Sequence, residues 1–216
     1  MGINVLKGRN VRIEVATALM ASKVVTAVSK ANPGVATSAA HALPNGTIGF
    51  FDAVAGMSEL DGMAVAVANT AAGTFELQRL DTTNFGTYTA GNFIGVQTWA
   101  TLAEATSLQV GGGDASKIDI TTLLDSIRQE ENGLLAAQSI SIGAFVTAVT
   151  SAAMDAVEAA ARSNAYLVFR ATFSNGYRVI FRAQPSLPGM DTNVDQAVTG
   201  GFSASVKGWV TKLPTA

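Results

Sequence analysis

Apolar and polar residues alternate along much of the chain, and the period is mostly two. Residues 11–17 and 24–29 read as short strands, and the turn Asn32-Pro33-Gly34 closes this opening segment. Residues 37–92 have a different texture. Short apolar runs are cut by Pro44-Asn45-Gly46, Asp61-Gly62, Ala72-Gly73 and Gly91. Turns about every ten residues predict a small all-β module. Its expected strands are 47–54, 63–68 and 74–79. Residues 103–116 predict a loop centred on Gly111, Gly112 and Gly113, and residues 139–149 predict a strand.

One helix is predicted, over residues 151–163. Ser151 can cap it, and Asp155 sits in the first turn, where the helix dipole favours an anion. Met154, Val157 and Ala161 form one stripe, while Glu158 and Arg162 pair at i,i+4 on the other. Asn164 can end the helix in the left-handed conformation.

Residues 166–173 and 177–183 predict a hairpin. Asn175-Gly176 suggests a two-residue turn, but that would pair Phe173 with Arg178. A three-residue loop, Ser174-Asn175-Gly176, pairs Phe173 with Tyr177, Ala171 with Val179 and Phe169 with Phe181. A one-residue slip flips every side chain, so the apolar register wins. Gly176 then takes the left-handed position. Residues 201–211 alternate as a long closing strand.

Composition narrows the function. Only 14% of the 216 residues are charged, against about 25% in an average soluble protein. Ala alone accounts for 37 positions. A surface so poor in charge is often hidden in an assembly. Fourteen Lys and Arg against sixteen Asp and Glu exclude a basic nucleic-acid binder. There is no Cys, hence no disulfide framework and no thiolate metal site. Lys7, Arg9 and Arg12 precede the apolar stretch 15–21, but Glu14 sits between them and no long apolar core follows, so a leader peptide is not expected. The uncharged run 132–154 is long enough to span a bilayer, but its core alternates as a strand does, so a membrane helix is rejected.

No catalytic constellation stands out. The single histidine, His41, reads as structural or exposed, not catalytic. The glycine run before Asp114 lacks the Lys and Ser/Thr of a phosphate loop. Asp114, Asp119 and Asp125 lack the spacing of a calcium loop. No cofactor and no metal are expected. Charge segregates elsewhere. Arg170, Arg178 and Arg182 share one face of the hairpin, while residues 114–131 hold five acidic residues against Lys117 and Arg128. The arginine face is open to three readings: a solvated sheet face, a subunit contact or a DNA contact. In the second, Arg170, Arg178 and Arg182 pair with the stretch carrying Asp119, Asp125, Arg128, Glu130 and Glu131 of a neighbour.

Two stretches resemble phage tail proteins. The first holds His41-Ala-Leu-Pro-Asn-Gly46, Gly56-Met-Ser-Glu-Leu-Asp-Gly62, Thr74-Phe-Glu-Leu77 and Asp81-Thr-Thr-Asn-Phe-Gly-Thr-Tyr88. It is similar to a small β-module that recurs in long-tailed phages. The second runs from Ile118-Asp-Ile-Thr-Thr-Leu-Leu-Asp-Ser126 through Gly133 and Ser139-Ile-Ser-Ile-Gly143 to Gly201-Phe-Ser-Ala-Ser-Val-Lys-Gly-Trp-Val-Thr211. Its order resembles the major tail tube protein of flexible, noncontractile-tailed phages. The chain departs from that pattern at Thr47, where the family often has Asp, and at Ala136-Ala137, where an acidic residue is common.

The resemblance implies a mainly β fold, a β-sandwich or half-barrel flanked by one helix. The tube unit would span 1–36 and 98–216, with 37–97 as the inserted module. Hexameric rings would close a continuous β-barrel and stack into a hollow virion tube that conducts double-stranded DNA without specific binding. Tape-measure and tail-tip or terminator proteins are the implied partners. Residues 103–132, with Gly111, Gly112, Gly113, Asp114 and Lys117, would form the loop that bridges rings. A basic bore would stall DNA, so the three arginines are not expected to line it unshielded. The alternatives are a tube or tip protein of a contractile or secretion-type apparatus and a monomeric carbohydrate-binding β-module. An enzyme is not expected.

Overall fold

A computed structural model describes residues 6–149 and 151–214. Residues 1–5, 150, 215 and 216, which the expected 1–36 and 98–216 unit includes in part, lie outside the described residues. The first strands are β1 Arg12–Leu19, β2 Lys23–Val25, β3 Ala27–Val28, β4 Val35–Thr37, β5 Ile48–Ala55, β6 Ala64–Ala68, β7 Thr74–Leu77 and β8 Ala90–Thr101. Then come β9 Ala105–Val110, β10 Ala115–Asp119, β11 Glu130–Leu135 and β12 Ser139–Phe145. The helix α1, Ala152–Ser163, precedes β13 Leu167–Thr172, β14 Arg178–Pro185, β15 Gly189–Asp191 and β16 Thr199–Leu213.

Fourteen strands form one antiparallel sheet in the order β3-β4-β7-β6-β5-β8-β1-β13-β14-β16-β12-β9, with β2 added to β8 and β15 to β16. β10 and β11 pair only with each other as a separate ribbon. The sheet curls into a half-barrel. β8 makes the bend possible, because its first half pairs with β5 and its second half with β1. Register shifts at Ala16/Ala18 and Ala18/Leu19 mark bulges that turn the strands there.

Curling buries both faces of the central strands. One face carries Ile13, Val15, Phe169, Phe181 and Phe202, capped by Ala153 and Val157 of α1. The other face carries Ala16, Val168, Ile180 and Leu213, covered by Ile48 and Phe50 of β5 and by Ala64 and Ala66 of β6. A third cluster, around Phe51, Phe75 and Phe93, fills the half built from residues 25–93. The seam between the halves is tight. Thr211 donates to the Ala64 carbonyl at 2.6 Å. Gly208 takes φ +76°, and a Cβ there would press on the Met63 backbone at 3.2 Å.

The helix and hairpin form as the pattern predicts. The N–H of Met154 donates to the Ser151 hydroxyl, and Asn164 ends the helix at φ 54°. Phe169 faces Phe181 and Ala171 faces Val179. The Phe173 N–H donates to the Tyr177 carbonyl at 2.8 Å, and Gly176 has φ +83°. The apolar register therefore won, and Phe169 stacks on Phe181 with centroids 5.2 Å apart.

Other stretches differ. Residues 103–116 hold β9 and the start of β10, not a loop. β9 forms because β12 offers it a backbone edge, a long-range partner that the local pattern does not reveal. β8 was not expected as a strand, for its two glycines and Asn92 obscure the alternation. The strand expected over 139–149 stops at Phe145, and the one over 74–79 stops at Leu77.

Phe181→Ala should lower the stability of the unassembled subunit by about 3–5 kcal/mol, because the cavity opens beneath the helix. Ser151→Ala should cost about 1 kcal/mol through loss of a single cap. Urea denaturation of both variants checks the ranking.

Candidate assembly surfaces

The arginine face is used unevenly. Glu14 is buried on β1, in register with Arg170 on β13. Arg170 donates to Glu14 Oε2 from Nε at 2.8 Å, and its Nη2 lies 2.7 Å from the same oxygen. The guanidinium also stacks 4.4 Å from the centre of the Trp99 ring. Arg170 thus finds a carboxylate inside its own chain.

Arg182 is held differently. Its guanidinium lies 3.9 Å from the centre of the Phe50 ring and 5.1 Å from that of Tyr166. Asp52 stands 4.0 Å away, and Nε and Nη1 have no hydrogen-bond partner among the described residues. Burial pushes its pKa below the usual arginine value, and Asp52 and Asp61 only partly offset this. Beside it Lys207 reaches Asp61 at 2.9 Å. Partial burial works to raise the Asp61 carboxyl. The Lys207 hydrogen bond, the Val54 N–H and the Lys207 and Arg182 charges outweigh it and hold the pKa below its ordinary value of 3.8. Together these groups clasp β14 and β16 to the β5–β6 half.

Arg178 alone of the three makes no ion pair among the described residues. Arg170 and Arg182 are engaged within the subunit's own fold. Glu14, Trp99, Asp61 and Lys207 were not singled out from the pattern. Glu14 gave one signal, a carboxylate inside an alternating apolar strand.

Of the stretch 103–132 expected to bridge rings, β9 joins the main sheet beside β12, and the remainder makes β10 and the start of β11, a separate hairpin. Arg128 braces it, reaching Asp119 at 3.2 Å and Glu130 at 3.3 Å. Lys117 donates to Asn132 at 2.5 Å. Hydrogen bonds from Thr121, then Arg128, lower the Asp119 pKa, and those from Thr122 lower that of Asp125. Glu131 and Asp114 make no ion pair among the described residues. Gly111 joins the hairpin to the sheet, its N–H donating to the Ser139 carbonyl at 2.7 Å. Gly112 stands in open space, and Gly113 passes close to the Ala136 carbonyl. Leu123 and Leu124 are fully exposed, and Ile118, Ile120, Ile127, Leu134 and Leu135 largely so. A lone two-stranded ribbon is marginal in water, and this one leaves seven large apolar residues uncovered.

A third surface carries no charge. The outward face of β9, β12 and the first half of β16 presents Ser107, Gln109, Ser139, Ser141, Ser203 and Ser205 in register. Among the described residues, β9 is the open edge of the sheet on this side. His41 plays no part in these surfaces. It is buried, accepts the Leu43 N–H on Nδ1 and donates from Nε2 to the Ala71 carbonyl. Among the described residues, no three His, Cys, Asp or Glu side chains converge as metal ligands, and no helix is long and apolar enough to cross a membrane.

A curled β sheet with one helix, an open edge and an apolar arm defines a structural subunit. The chain belongs to the phage tail tube protein family, whose profile matches residues 55–214. Its role is structural, in the tail of a virion, and the family is not known for enzymatic activity. No curated protein matches the chain.

Arg170→Met should destabilise the subunit by about 3 kcal/mol, because it strands the buried Glu14 carboxylate. Adding Glu14→Gln should restore much of that loss in the same denaturation assay. Asp61 is lowered in the folded state, so its contribution is present above its ordinary pKa and lost as the pH falls below it. Stability measured from pH 6 down to about 3 should therefore fall less steeply for Asp61→Asn than for the parent chain.

Proposed function

We propose that the chain forms hexameric rings that stack into the hollow tail tube of a long noncontractile-tailed phage. Double-stranded DNA passes through that tube. The observation that carries the reading is the open β9 edge beside an uncharged serine face, within a family of tube proteins. An unpaired edge is an aggregation hazard unless something closes it, and ring closure between subunits removes every edge at once.

The serine face suits the wall of the bore. Fixed cations would bind phosphates and hold the cargo, whereas small neutral hydroxyl groups offer no such trap. At −2 per chain, a hexameric ring carries about −12, which repels DNA over longer range. The β10–β11 hairpin, with Gly111, Gly112, Gly113, Asp114 and Lys117 at its root, serves as the arm between subunits. Residues 1–36 and 98–216 act as the tube unit and 37–97 as an inserted module. Tape-measure and tail-tip or terminator proteins set the length and ends of the tube.

Negative-stain electron microscopy of the purified protein at rising concentration tests this. Hollow tubes or sixfold rings are expected, and a species that stays monomeric with and without tail-tip proteins would sink the reading.

A further inference from the structure

We propose that the acidic β10–β11 hairpin of one subunit docks on a basic row, Arg12–Thr172–Arg178, of a second copy of the chain. The proposal rests on the assembly reading above and identifies where the arm seats.

The sheet register builds the row. Arg12 faces Thr172 across β1 and β13, and Thr172 faces Arg178 across β13 and β14. Directly paired residues project from the same face, so two guanidinium groups flank one threonine, with Cα atoms about 10 Å apart. Neither cation is fully satisfied among the described residues. Arg178 has no ion pair among the described residues, and the exposed Arg12 makes only a 3.9 Å contact with Glu14. Glu14 cannot neutralise the row, because its other oxygen is bound by Arg170. Lys7 and Arg9 lie on the exposed segment leading into β1.

The hairpin is the complement. Residues 114–131 carry five acidic groups and two basic ones, and Arg128 is already engaged with Asp119 and Glu130. Asp114, Asp125 and Glu131 remain without a cation among the described residues. Phe173 and Tyr177, packed edge-on at 5.7 Å, stand at the same end of the sheet but on its other face, against the helix-side core, so the row meets the arm with charge and not with these rings. Opposite charge fixes the register of such a contact, while the exposed leucines supply its buried area.

The absence of cysteine makes disulfide trapping clean. Ser126→Cys, at the hairpin tip, is mixed with Thr172→Cys, or with Ser174→Cys in the adjoining turn as a second reporter, and oxidised. A mixed disulfide is expected with either reporter and not with Ser141→Cys on the serine face. Adding Arg178→Glu to the reporter chain should cut the yield at least tenfold. Salt at about 1 M, where the screening length falls to about 3 Å, should also weaken it. A yield no higher than that of the Ser141→Cys control, or one indifferent to Arg178→Glu, overturns the proposal. So does capture of a DNA duplex that depends on Arg178 with no mixed disulfide, which would assign the row to nucleic acid. Tubes without the disulfide would remove this docking and leave the tube reading intact. The disulfide without tubes would do the reverse.

Discussion

A sheet that curls back on itself has to bury both faces of its central strands, and the rest of this structure depends on that constraint. β13 and β14 are apolar on both sides, with Val168 beside Phe169 and Ile180 beside Phe181. One side is closed by α1 and the other by β5 and β6. The second closure is the harder, because it presses one part of a sheet against another. It needs a backbone approach that only glycine permits at 208, and it traps polar groups that must find partners. Thr211 reaches the Ala64 carbonyl, Lys207 reaches Asp61, and Arg182 lies against Phe50 with Asp52 nearby.

The scarcity of charge takes on meaning under this constraint. The chain has few ionic groups, and several are spent inside the subunit. Arg170, stacked on Trp99, neutralises a buried carboxylate, a pairing that costs desolvation and is retained where it fixes geometry. Arg182 goes further, for two of its nitrogens are buried without acceptors among the described residues, while the nearby Phe50 and Tyr166 rings partly compensate. What remains for the surface is segregated. Cations gather where β1 and β14 begin and where β16 ends, carboxylates gather on the hairpin, and the serine face carries no charge at all.

The sequence made local features legible and left long-range ones hidden. Ser151, Asn164 and the Phe169–Phe181 register are set by neighbours within a few residues, so pattern and turn chemistry suffice. β8 changes partner halfway along, and its composition, with Gly91, Asn92 and Gly95, shows no single face. β9 exists because β12 lies beside it. The arginine face was visible as a face, but its partners were not: Glu14 lies 156 residues from Arg170. Charge complementarity between two segments of one sequence does not reveal whether they meet within a subunit or between subunits. Only the fold, by engaging Arg170 and Arg182 internally, leaves Arg178 without an ion pair among the described residues.

The family match begins at residue 55, yet the sheet is not complete without the residues that precede it. β1 lies between β8 and β13 and is the only described strand joining the two halves of the sheet in backbone register. It supplies Ile13 and Val15 to one core, Ala16 to another, and Glu14 to Arg170. A subunit lacking it would present two unpaired edges in its centre and an arginine without a counterion. The N-terminal segment is therefore part of the structural unit, and it delivers Arg12 to the same face as Arg178. The strand that closes the subunit's own sheet is thus also the one that brings a cation to its outer surface.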